Sequence, residues 1–76
     1  MIKAKIDKGM KEIGNRLSDL LASHDMSQRE LAAELVVSNA TISRIVKGQG
    51  NVTLKTLIAI ADYFCVSIDW LVGREA

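Results

Sequence analysis

At 76 residues, with 49% apolar side chains and a single cysteine, the chain forms one domain near the lower size limit for a core unaided by disulfide or metal. One Phe, one Tyr and one Trp leave that core to Leu, Ile, Val and Ala, and no apolar run is long enough to span a bilayer. The net charge of +1 and pI of about 7.9 exclude the uniformly basic chain of many nucleic-acid binders, so such a role rests on how charge is distributed.

Residues 1–9 set Lys3, Lys5 and Lys8 around Ile2 and Ile6, ahead of Gly9. They form either an arm that follows a DNA groove or a backward extension of the first helix, and the Gly9 break at a chain end favours fraying over a long helix. The same lysines interrupt any secretory signal, which makes the cytoplasm the expected location. Met10, Ile13, Leu17, Leu20 and Leu21 recur at intervals of three and four, predicting a helix from about Lys11 to Ser23. Its polar side carries Glu12, Asn15, Arg16 and Asp19, read as a solvated face from which Arg16 could reach a phosphate. His24 stands near the helix end, where it complements the dipole or is simply solvated; no second His or Cys nearby suggests a metal.

One pattern then occurs four times: an apolar residue, a Ser or Thr, three residues, and another apolar residue. The sets are Met26-Ser27 with Leu31, Val37-Ser38 with Ile42, Val52-Thr53 with Leu57, and Val66-Ser67 with Leu71. Each is a capped helix start with a hydrophobic staple across the cap. At Ser27 the pattern is a full capping box, with Glu30 reaching back to the Ser27 amide. A second helix therefore begins at Gln28, and a third follows Ser38 and is stopped by Gly48, the two meeting across Val36 and Val37. The fourth is predicted from Leu54 to about Phe64, burying Leu54, Leu57, Ile58, Ala61 and Phe64, with Cys65 as a small buried hydrophobe. A short fifth helix, Ile68 to Val72, ends at Gly73. The predicted architecture is an all-α, compact five-helix domain over residues 10–73, with a tail at 74–76.

At 100° per residue, Ile42, Ile45 and Val46 share one face of the third helix, and Ala40, Ser43, Arg44 and Lys47 share the opposite one. No acidic residue occurs between Glu34 and Asp62, while Arg44, Lys47 and Lys55 do, giving a local positive field that the net charge hides.

The stretch from Gln28 to Lys47, followed by Gly48 and by Val66-Ser67-Ile68-Asp69-Trp70-Leu71, resembles the phage repressor and Cro superfamily of helix-turn-helix proteins, the XRE-like regulators. The resemblance runs from about Met10 to Gly73 and rests on Ser27-Gln28, Leu31-Ala32, Val37-Ser38, Ile42-Ser43-Arg44 and the Val66 to Leu71 segment. Family members usually have Gly at the first turn position, where φ is often positive; here Val36 occupies it, so either the turn is reshaped or strain is tolerated. The resemblance implies a lambda repressor-like DNA-binding fold in which the third helix enters the major groove and the second crosses the backbone. The implied base-contacting residues are Asn39, Ala40, Ser43 and Arg44, and the implied backbone contacts are Gln28, Arg29, Thr41, Lys47, Asn51 and Lys55. The partner it implies is an inverted-repeat operator in double-stranded DNA, bound by a homodimer joined through the fifth helix and the adjoining loop, where Trp70 and Val72 place apolar surface. Leu21 and Val46 stand where some members bury an opposite-charge pair, which leads to the expectation that both are buried and in contact.

The resulting functional expectation is a bacterial or phage-type, sequence-specific transcriptional regulator, a repressor, needing no cofactor, metal or membrane. One His and one Cys far apart, with scattered carboxylates, offer no catalytic constellation, so an enzyme is not expected. The competing expectation is an antitoxin-like or other protein-interaction module on the same fold. A positive stripe beside the third helix would favour DNA, and an exposed apolar patch on the first or fifth helix would favour a protein partner.

Overall fold

The structure, a computed structural model, describes residues 2–50 and 52–74, with backbone only for residues 2–8. Among the described residues five helices follow in order: α1 (Ile2–Ser23), α2 (Gln28–Leu35), α3 (Asn39–Val46), α4 (Leu54–Phe64) and α5 (Ile68–Leu71). The five most completely buried large side chains are Leu17, Leu31, Ile42, Ile60 and Leu71, one from each helix. Three of them, Leu31, Ile42 and Leu71, are staple residues of helix starts, so the local signal that opens a helix also sets its anchor in the core.

All four predicted caps form. Ser27, Ser38, Thr53 and Ser67 accept from the amides of Glu30, Thr41, Thr56 and Trp70, and Glu30 closes the capping box by accepting from the Ser27 amide at 2.8 Å. Helix ends share one design as well. Asp25, Val36, Gly48, Cys65 and Gly73 take left-handed φ angles of 51° to 78°. The amide of each following residue, Met26, Val37, Gln49, Val66 and Arg74, donates to a carbonyl five residues back at 2.8–3.0 Å. This bond satisfies a carbonyl that the helix end would otherwise leave open. Met26, Val37 and Val66 thus close one helix while stapling the next, and all three pack against the core.

Several expectations need correction. Helix α1 starts at Ile2 rather than near Lys11, because the three-and-four spacing of Ile2, Ile6, Met10 and Ile13 continues through Gly9, whose cost of about 1 kcal/mol does not end a helix by itself. On α4, Leu54 is 67% and Ile58 40% exposed, while Leu57, Ile60, Ala61 and Phe64 are buried. Both sets have helical spacing and the core accepts only one. Cys65 is exposed, because it occupies the left-handed end of α4 instead of a core position. The turn at Val36 is not reshaped: its φ of 57° and ψ of 48° are the left-handed values a glycine would adopt, and its side chain is 89% exposed.

Leu21 is buried as expected, but Val46 is only half-buried though packed against the core, and α1 approaches the backbone of α3 closely at Gly14. A Cβ on Gly14 would lie 2.6 Å from the carbonyl oxygens of both Ile45 and Val46. The end of α3 therefore rests directly on the α1 backbone. A second clasp joins α1 to α5: Arg16 Nε donates to Glu12 at 2.8 Å, and its guanidinium lies 4.7 Å from the centre of the Trp70 ring. Trp70 and Val72 are half-buried and packed on the core, so α5 offers less free apolar surface than the sequence suggested.

Three outcomes follow from this architecture. Gly14→Ala gains helix propensity but overlaps two carbonyls, and should lose about 2 kcal/mol, read as a lower urea midpoint. Val36→Gly relieves the left-handed strain and sacrifices almost no packing; a gain of about 0.5–1 kcal/mol is expected after the entropy of a more flexible unfolded chain. The capping-box amide and hydroxyl of Ser27 hold the Glu30 carboxyl below its ordinary value of 4.5. A group whose folded pKa is depressed stabilises above its ordinary pKa and ceases to do so as pH falls through the folded value. Urea midpoints of the natural protein should therefore exceed those of Glu30→Gln near neutrality, and the two should converge as pH falls below the ordinary glutamate range.

Candidate nucleic-acid interface

Burial of Ile42 and Ile45 turns the rest of α3 outward. Asn39, Ala40, Arg44 and Lys47 are exposed, and Thr41 and Ser43 are half-buried at its flanks. The hydroxyls of Thr41 and Ser38 are hydrogen-bonded to each other at 2.8 Å, which holds Thr41 to the helix start and away from the centre of the outward face. The four expected base-facing residues therefore lie on the outer side and flank of one two-turn helix, with small side chains at Ala40 and Ser43 beside the long Arg44.

The expected backbone contacts surround that helix. Gln28 is half-buried at the first position of α2, and Arg29 beside it is exposed. The capping box occupies the amides of Ser27 and Glu30, leaving those of Gln28 and Arg29, which have no carbonyl within the helix to bond. The Glu30 carboxylate at this end offsets part of the dipole's attraction for a phosphate, so Gln28 and Arg29 contribute more through their side chains than the bare helix end does. Lys47 ends α3 and Lys55 stands in the first turn of α4, both exposed. Asn51 lies outside the described residues.

Charge is segregated over the surface. Glu30 and Glu34 line a shallow depression with His24, Asp25, Met26, Ala33 and Tyr63, on the side of α2 that meets the end of α1 and α4. Helix α3 carries no acid at all. Sequence reasoning offered Arg16 as a phosphate contact, but its pairing with Glu12 and Trp70 commits it to the α1–α5 clasp. His24 is exposed, with Nδ1 at 2.9 Å from the Leu20 carbonyl and its ring edge-on to Phe64. Gly14, which sets how closely α3 approaches α1, was missed; a glycine inside a strong helical pattern was the available signal. Among the described residues no group of His, Cys, Asp or Glu is placed to hold a metal, and no helix is long and apolar enough to cross a membrane.

Comparison with known proteins agrees with this geometry. The helix-turn-helix family profile matches residues 17–71. The chain is 33% identical over 64 residues to the HTH-type transcriptional activator BcrR of Enterococcus faecalis, an alignment covering 84% of this chain and 31% of that protein. It is 40% identical over 55 residues to an HTH-type transcriptional regulator of Methanocaldococcus jannaschii, covering 72% of this chain and 83% of the relative. The chain thus spans about a third of the first relative and most of the second. No solved structure matches. Two capped helices joined by a tight left-handed turn, an acid-free outward face on the second, and a family match over most of the chain lead to one conclusion: the chain belongs to the XRE-type helix-turn-helix family of DNA-binding transcriptional regulators.

Proposed function

We propose that the chain binds double-stranded DNA sequence-specifically, with α3 in the major groove, and that it does so as a homodimer on an inverted repeat. The observation that carries this reading is the pairing of a locked inner face, Ile42 and Ile45, with an acid-free outer face bearing Asn39, Ala40, Ser43 and Arg44. A groove-reading helix needs both properties: fixed orientation, so that side chains meet base edges in register, and no carboxylate facing the phosphates. Arg44 has the length and fork geometry to pair with guanine O6 and N7, Asn39 can pair with adenine, and Ala40 fits against a thymine methyl. Gln28, Arg29, Thr41, Lys47, Asn51 and Lys55 serve as backbone contacts that fix position without reading sequence.

A helix of eight residues reads few base pairs, so two copies related by a two-fold axis supply the length of a usable site. Bound there, a domain of this size excludes other proteins from the same DNA and acts as a repressor. The same fold read as an antitoxin-like protein-interaction module has one observation in its favour, the exposed apolar residues Leu54 and Ile58 on α4. Salt separates the two readings: affinity carried by phosphate contacts falls steeply and log-linearly with salt concentration, whereas an apolar protein interface responds weakly.

Two measurements test the DNA reading. Footprinting should show half-sites whose centres lie about 34 Å apart, and a single asymmetric footprint from a monomer would refute the dimer. Arg44→Ala should weaken cognate DNA by roughly 1–3 kcal/mol while changing random DNA far less, whereas Lys47→Ala or Gln28→Ala should weaken both about equally. Equal losses on cognate and random DNA for Arg44→Ala would make Arg44 a backbone contact instead.

A further inference from the structure

The exposed stripe of α4 has a charge pattern that matches its own reverse. Leu54, Lys55, Ile58 and Asp62 lie within 100° of arc on this helix, and all four are exposed. Lys55 and Asp62 are seven residues apart, hence on the same line along the helix but about 10 Å from one another, too far to pair within one chain. Among the described residues the only ion pair is Arg16 with Glu12. When two copies of a helix run antiparallel about a two-fold axis, each residue faces the one equally far beyond the axis. An axis between Ile58 and Ala59 sets Lys55 opposite Asp62 of the second copy, and Asp62 opposite its Lys55. It also brings the two Ile58 side chains together beside the axis, with Leu54 extending the apolar edge on the same side.

We propose that this face of α4 is where two copies of the chain meet, with Lys55 and Asp62 forming two symmetric salt bridges around an Ile58 contact. The proposal rests on the dimeric reading above and locates its interface, displacing the fifth helix, whose Trp70 is already covered by Arg16, and it moves Lys55 from the phosphate contacts named there to the dimer interface. The two ends of the stripe are complementary to its own reversed copy, the condition that an isologous interface must meet. One face of an eleven-residue helix covers less than the roughly 1,200 Å² of a standard stable interface, so free association is weak and DNA strengthens it by holding two copies side by side.

The test is sedimentation equilibrium of the full chain, at high concentration and low salt, without DNA, so that a phosphate contact by Lys55 cannot contribute. The natural protein should associate reversibly to a dimer. Lys55→Glu and Asp62→Lys should each weaken self-association by about tenfold or more, since each places like charges face to face twice. An equimolar mixture of the two variants should recover association as a heterodimer, because the glutamate introduced in one copy then meets the lysine introduced in the other, while the unaltered pair survives on the opposite side of the axis. The double variant Lys55→Glu/Asp62→Lys should recover it too. Circular dichroism should be unchanged in all of them, as both positions are exposed. Dimers unaffected by either single change, or single-change losses that mixing does not restore, would overturn this interface. A two-fold footprint in that case would leave the dimeric DNA reading standing. A protein that remains monomeric at its solubility limit also overturns the α4 interface, and an asymmetric footprint would then remove the dimeric reading with it.

Discussion

Ile42 has no accessible surface, and the presentation of α3 depends on that fact. A helix of eight residues has little stability of its own and could settle at many rotational angles against a bundle. Burying Ile42 at the centre of the core, and Ile45 one turn on, selects a single angle. That angle puts Arg44 and Lys47 in solvent and holds the small residues Ala40 and Ser43 beside them. Ser38, whose hydroxyl caps the helix, fixes where the first turn begins, and the Ile45 and Val46 carbonyls resting on Gly14 fix the depth at which the last turn sits. Rotation, start and depth are each set by a different contact.

The parts of this arrangement that were legible in the sequence are those whose physics is local. A cap, a staple and a stop involve residues within a few positions of one another, so Ser27, Ser38, Thr53 and Ser67 could be located without knowing what packs against what. Periodicity likewise placed Ala40, Ser43, Arg44 and Lys47 on the side of α3 opposite Ile42 and Ile45, because that helix has one clear apolar stripe. It failed on α4, where Leu54-Ile58 and Leu57-Ile60-Ala61-Phe64 are both acceptable stripes and only the other four helices decide between them. Cys65 was misplaced for a related reason: proximity to apolar neighbours suggested burial, but the helix ends there in a left-handed turn that turns the side chain out.

Arg16 shows where a single-sequence reading runs out. Its spacing from Glu12 was visible, but the aromatic ring beneath it comes from a helix at the other end of the chain, and no local pattern brings Trp70 to that place. The face of α1 read as solvated is thus partly an inter-helix clasp, and a positive charge that could have been assigned to DNA is spent inside the fold. Val36 is the reverse case. The sequence raised the conflict between a β-branched residue and a left-handed turn, and the structure resolves it in favour of strain, because the bond from Val37 to the Ala32 carbonyl and the burial of Leu31 and Ile42 on either side leave the turn no alternative.

Met26, Val37 and Val66 each complete the end of one helix and begin the staple of the next, with only the cap residue between them and the new helix. There is no spare residue in these three connections. Adding or deleting one would separate the two tasks, so that either the stop of one helix or the staple of the next could not form. Such a chain can diverge by exchanging side chains at fixed positions, but not by changing the length of these joints. The stretch between Gly48 and Thr53 is different, since several residues separate the stop of α3 from the cap of α4. Length variation that preserves the fold is therefore expected in the segment that leaves α3, which can lengthen without breaking a helix stop, a cap or a staple.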